Sequence, residues 1–202
     1  MLPLDTLLAL SAFAFVTSVT PGPNNLMLLA SGVNFGFART VPHMLGVAIG
    51  FVVMVVLVGL GIGQVFAAVP ALYMLLKVAG TLYMLYLAWK IANAGAIGEG
   101  RASGRPMTFL QAAAFQWVNP KAWAMAVSAT ATYTLPDHFI RGVVIVALVF
   151  GLINLPSVAV WALFGTWVKR LLAGERAVRV FNITMAVVLV ASLWPAFAEW
   201  LR

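Results

Sequence analysis

Two polar, helix-breaking clusters interrupt apolar stretches of this chain: Thr20-Pro21-Gly22-Pro23-Asn24-Asn25 and Asn119-Pro120-Lys121. Pro21 and Pro120 stand about half a chain length apart, so the clusters occupy corresponding places in the two halves. Proline removes a backbone donor and frees an upstream carbonyl. In bilayer hydrocarbon no water satisfies such groups, so a broken helix survives only where it is buried in protein or lines a cavity. A matched pair of breaks is the sequence pointer to a transporter binding site.

Hydrophobic residues make up 63% of the 202 and charged residues 8%, against about 25% charged in a soluble domain. The chain therefore reads as an all-α polytopic membrane protein forming a single membrane transport domain. The charges behind the net +7 lie mostly between apolar spans, where they signal topology and meet lipid headgroups. No basic patch interleaved with aromatics is left for nucleic acid. There is no cysteine, which excludes disulfides and thiol chemistry. The first Lys or Arg is Arg39, so the basic start of a cleaved signal peptide is missing.

A span needs about 20 apolar residues. Six are expected, at 4–31 (broken at Pro21), 41–65, 70–92, 108–133 (broken at Pro120), 139–166 and 180–201, with long loops at 93–107 and 167–179. The glycine-rich stretch before Pro106 reads as a flexible linker between halves. One set of alternate loops carries Arg39, then Lys90, Arg101 and Arg105, then Lys169, Arg170, Arg176 and Arg179; the other has only Arg141 and Arg202. The bias puts the first set in the cytoplasm and both termini outside. Three spans per half then give two inverted repeats, about 1–95 and 106–202.

In the first cluster, Asn24 or Asn25 is expected to cap the helix resuming at Leu26, whose positive N-terminal end suits a carboxylate. Lys121 falls near mid-span, about 20 Å from Met107 at 1.5 Å per residue. It either faces a cavity and attracts a substrate carboxylate, or snorkels to headgroups. Trp117 and Trp123 flank this break and are candidates to line the cavity. His43 and Lys77 are coupling candidates, His43 because its ordinary pKa lies near neutrality; each also has a plain reading, as a structural His and a snorkelling Lys. Gly46-x-x-x-Gly50 reads as a close helix contact, within the chain or in a homo-oligomer, and Asn154-Leu-Pro156-Ser157 as a hinge or cavity wall. No carboxylate lies deep in a span: Asp5, Glu99, Asp137, Glu175 and Glu199 sit at ends or in loops. That disfavours cationic substrates and, with the missing thiols, leaves no metal site or cofactor to expect.

Thr20-Pro21-Gly22-Pro23-Asn24 resembles the signature of the LysE/RhtB family of amino-acid exporters. So do Gly36-Phe37 with Gly46-x-x-x-Gly50, Lys77-Val78-Ala79-Gly80-x-x-Tyr83, Leu87-Ala88-Trp89-Lys90 and Asn119-Pro120-Lys121. The resemblance implies export of amino acids or close derivatives, driven by an ion gradient, with Pro21, Gly22, Pro23, Asn24, Lys77, Asn119, Pro120 and Lys121 as the functional core. Members that export basic amino acids place an acid just beyond the position of Gly50; here Phe51 stands there. The stretches Thr20 to Asn25 and Leu87 to Ala92 lean towards the cysteine and O-acetylserine exporters. Taken together, the expectation is an inner-membrane secondary exporter of small neutral amino acids or zwitterions (cysteine/O-acetylserine, homoserine/threonine or similar), working by alternating access in a lipid bilayer. A channel-like pore or ion transporter built on the same breaks, a membrane-embedded enzyme and an assembly protein are the rivals.

Overall fold

The computed structural model describes residues 3–62, 68–94, 105–134 and 138–194. They form eight α-helices: α1 (Leu4–Val19), α2 (Pro23–Phe35), α3 (Phe37–Gly59), α4 (Pro70–Ala92), α5 (Phe109–Phe115), α6 (Pro120–Tyr133), α7 (Phe139–Leu171) and α8 (Gly174–Ala191). A single 3-10 turn, Gln116–Val118, joins α5 to α6. Among the described residues there is no strand.

Among the described residues, three helical segments are long and apolar enough to cross a membrane: α3, Met74–Ala92 of α4, and α7. The pair α1 and α2, bent by 52° at the first break, makes a fourth if read as one span. Six were expected. The difference lies in α5, only seven residues long before the second break, and in α8, whose first turns carry Glu175, Arg176 and Arg179. Large apolar side chains such as Leu152 (77% exposed) and Leu148 (61%) point outward from α7, as a lipid-facing surface requires.

Several expected boundaries move. Gly36, at φ +81°, reverses the chain in one residue, a conformation L side chains resist. So α3 starts at Phe37 rather than residue 41, and Pro42 is absorbed near its start. The long loop expected at 167–179 is mostly helix; only Leu172 and Ala173 separate α7 from α8. Lys169 and Arg170 complement the C-terminal dipole of α7. Of the linker expected at 93–107, residues 95–104 lie outside the described residues, as do 195–202 of the last expected span.

Small residues set the closest crossings. A Cβ built on Gly32 of α2 would lie 2.2 Å from the Ala162 carbonyl oxygen of α7, and one on Gly165 would lie 2.2 Å from that of Leu29. Gly46 and Gly50 let α3 lie against α5: a Cβ on Gly46 would meet Phe109 O at 2.3 Å, and one on Gly50 the Cα of Ala113 at 2.5 Å. Such approach is how helices pack where lipid removes the hydrophobic drive between them. Two apolar clusters fill the interior. One joins Leu28, Met84, Phe115 and Leu189; the other gathers Leu10, Phe51, Met54 and Phe150, with Phe51 and Phe150 edge to face at 5.1 Å.

Candidate functional site

The first break is held open by named donors. With no N–H at Pro21 or Pro23, α1 cannot continue and its last carbonyls need other partners. Trp161 Nε1 of α7 donates to Val19 O at 3.0 Å. Asn25 Nδ2 donates to Ser18 O and Thr20 O, both at 2.8 Å. The Lys121 ammonium donates to Thr20 O (2.8 Å), Thr20 Oγ1 (2.9 Å) and Pro21 O (3.3 Å). The expected Asn cap is not formed. α2 begins at Pro23, Gly22 stands at its N-cap in extended backbone, and no side chain caps it. Proline at the first position removes one of the donors a cap would serve, and the asparagine amides turn to partners elsewhere.

The second break has its own architecture. Thr108 and Gln111 form a reciprocal capping box that starts α5. After the 3-10 turn, Asn119 caps α6 by accepting from Lys121 N at 3.1 Å, and Pro120 takes the first helical position. Gln116 is fully buried. Its Nε2 donates to Ala112 O at 2.9 Å, and its amide pairs reciprocally with that of Asn24 at 2.8 and 3.2 Å. Trp117 and Trp123 pack edge to face at 6.0 Å, and Trp123 Nε1 donates to Trp117 O at 2.8 Å.

The two breaks therefore touch, through Lys121 on Thr20 and Pro21 and through Asn24 on Gln116. Between them lies a hollow of about 330 Å³, lined among others by Gly22, Asn25, Phe51, Lys121 and Asn154. Two features fix its chemistry. The N-terminal ends of α2 and α6, both positive by the helix dipole, and the Lys121 ammonium supply positive potential. On α7, Asn154 Nδ2 donates to Ser18 Oγ at 3.1 Å, while Asn154 Oδ1 is buried with no partner among the described residues. The hollow thus combines positive potential with the amide of Asn154, whose oxygen is unpartnered among the described residues.

Of the expected site residues, Gly22, Asn24, Asn25, Asn119 and Lys121 line this hollow. Thr20 and Pro21 contact Lys121; Pro23 is buried at the start of α2, and Pro120 is exposed. Asn154 lines the hollow, whereas Pro156 sits inside an unbroken α7. Trp117 and Trp123 are not among the lining residues. His43 and Lys77 are not brought in either. His43 lines a separate hollow, and Lys77 sits half-buried on α4. Sequence reasoning missed Ser18, Gln116 and Trp161; the signal available was a buried-type amide, Gln116, inside an apolar run.

The Asn24–Gln116 pair carries a specific expectation. Asn24→Ala and Gln116→Ala should each lower thermal stability, and the double variant should lose less than the sum. The coupling should be about 1 kcal/mol, the scale of interhelical hydrogen bonds in membranes. Strictly additive losses in detergent melts count against the pair as a tie between the breaks.

A family model described as LysE type translocator matches residues 15–192. Among curated proteins, the cysteine/O-acetylserine efflux protein of Shigella flexneri serotype 5b (strain 8401) is 34% identical over 190 residues, covering 92% of this chain and 95% of its own. The protein of the same name from Escherichia coli (strain K12) is 34% identical over 186 residues, covering 90% and 93%. No solved structure matches.

Proposed function

This chain belongs to the LysE type translocator family, which makes it a multi-pass transporter and not an enzyme, and from that premise we propose that it exports small neutral amino acids or close derivatives across the inner membrane. The observation that carries the substrate class is the pairing, in one hollow, of the Lys121 ammonium with an unpartnered buried Asn154 Oδ1. A zwitterion meets both, its carboxylate at Lys121 and the helix ends, its ammonium at Asn154. Phe51 also lines the hollow, at the place where exporters of basic amino acids are expected to carry an acid. An apolar ring there favours a neutral side chain. The similarity to cysteine/O-acetylserine efflux proteins narrows the first substrates to try to L-cysteine and O-acetyl-L-serine.

For the mechanism we read alternating access between two inverted halves, with α5–α6 as the fourth span, α8 in the sixth, and both termini outside. The packing supports this. α1 and α2 lie on α7 as α5 and α6 lie on α3, and α4 lies on α8; exchanging the halves exchanges these pairs. Rocking about a central site is the usual consequence of such repeats. The purified chain in proteoliposomes should show saturable exchange of labelled O-acetyl-L-serine for unlabelled O-acetyl-L-serine or L-cysteine. Ionic single-channel currents without exchange indicate a pore and overturn the proposal.

A further inference from the structure

A second hollow, of about 490 Å³, opens among α2, α3, α4 and the segment before α5, and it shares no lining residue with the first. Its inner wall holds His43, 1% exposed, with neither ring nitrogen partnered among the described residues. A neutral imidazole carries one donor and one acceptor, and buried polar groups ordinarily have partners. The uncharged polar side chains beside His43, Asn34 and Ser31, are already engaged. Asn34 pairs with the Asn182 amide at 2.8 and 3.0 Å, and Ser31 bonds Thr40 at 2.8 Å. Half-buried Lys90 and exposed Arg105 also line the hollow, with Leu87 and Met107 as apolar wall. No Asp or Glu is among its described lining residues.

The arrangement combines a buried His43 with no partner among the described residues, a mainly apolar wall, and two cations at its more exposed residues. An anionic lipid would put its acyl chain inward and leave His43 unpaired. A small polar solute carrying a carboxylate satisfies all three. The excess of Lys and Arg on this side marks it as the cytoplasmic face. α2 joins the two hollows directly. Asn24 lines one and Asn34 the other, about 15 Å apart at 1.5 Å per residue.

We propose that this hollow is a cytoplasmic loading site for the exported amino acid. The carboxylate is held by Lys90 and Arg105, and a hydroxyl, thiol or ester oxygen on the side chain is hydrogen-bonded to His43. The site rests on the export reading above and adds a stage before the Lys121 hollow.

Uptake of O-acetyl-L-serine into everted membrane vesicles reports the cytoplasmic face. Lys90→Gln with Arg105→Gln should raise the KM about tenfold, because the charge-assisted contacts that capture the carboxylate are lost. His43→Leu should raise it as well, and His43→Gln should restore much of the affinity. Because His43 is buried and its variants are prone to misfold, the lysine and arginine variants carry the test. An unmoved KM in that double variant, with normal wild-type transport, overturns the loading site alone. A KM shift seen only in vesicles containing phosphatidylglycerol assigns the cations to lipid and also overturns it. Wild-type protein that moves no amino acid overturns the export reading and this site with it.

Discussion

Lys121→Gln is expected to cut amino-acid exchange by about 100-fold while leaving a folded protein. Lys121 is the side chain that reaches from the second break to the first, with three oxygens of Thr20 and Pro21 within hydrogen-bond range of Nζ. Truncating one partner of a desolvated, hydrogen-bonded charge pair costs about 2–5 kcal/mol, and about 1.4 kcal/mol is tenfold. A loss of about 2.8 kcal/mol, in the lower half of that range, gives the stated factor. Glutamine retains donors but neither the reach nor the charge. Lys121→Arg keeps the charge in a different shape and should recover part of the activity. The measurement is exchange in proteoliposomes, with gel filtration to establish that each variant is intact. Wild-type exchange by Lys121→Gln removes the ammonium from the mechanism.

A mechanical consequence follows from where Lys121 now sits. Its donors are spent on the first break, so on the proposed reading a substrate carboxylate is taken by exchanging Thr20 or Pro21 oxygen for carboxylate oxygen. That exchange loosens a tie between the halves when substrate arrives. The Asn24–Gln116 amide pair keeps a second tie in place. In the proposed alternating-access mechanism, binding and rocking are thereby linked through the same side chain. Gly22 fits beside it: a Cβ there would stand 2.7 Å from Lys121 Cδ, so any larger residue presses on the Lys121 side chain.

The breaks were legible because proline and intramembrane polar residues have few uses in an apolar stretch. That they would touch was an expectation of symmetry, since nothing local to Thr20 or Lys121 fixes a contact a hundred positions away. The Asn24 and Asn25 cap failed for a related reason. Capping propensity is local, whereas the partners these amides found, Gln116 and the Ser18 and Thr20 carbonyls, depend on how the helices fold back. Helix ends were misplaced where apolar character stops before helicity does. Lys169 and Arg170 are good helix formers and suit a C-terminus, so α7 runs on through them. His43 illustrates the opposite limit. A lone His beside Pro42 reads as interfacial, yet the bundle buries it to 1% exposure against α2 and α4.

Gly32→Ala should lower the melting temperature by about 5–10 °C and reduce exchange with it. The added methyl would lie 2.2 Å from Ala162 O and 3.1 Å from Ala162 C. These are backbone atoms of α7, which no rotamer change can withdraw, so α2 must shift away from α7. Overpacking of this kind costs about 1–3 kcal/mol and occasionally more, and 1 kcal/mol corresponds to about 2–4 °C in a chain of this size. The shift does not stay local, because α2 carries Asn24 and Asn25 at its other end and Trp161 of the same α7 segment holds Val19 O. Gly165→Ala meets Leu29 O at the same distance and should act alike. Since both variants part the same helix pair, their combination should cost less than the sum. Gly151→Ala is the control: its nearest neighbour is a Val52 methyl at 3.4 Å, and it should melt with the wild type. If Gly32→Ala and Gly151→Ala melt together, α2 and α7 do not cross as closely as described, and the hollow between the breaks loses the wall that α7 supplies through Asn154.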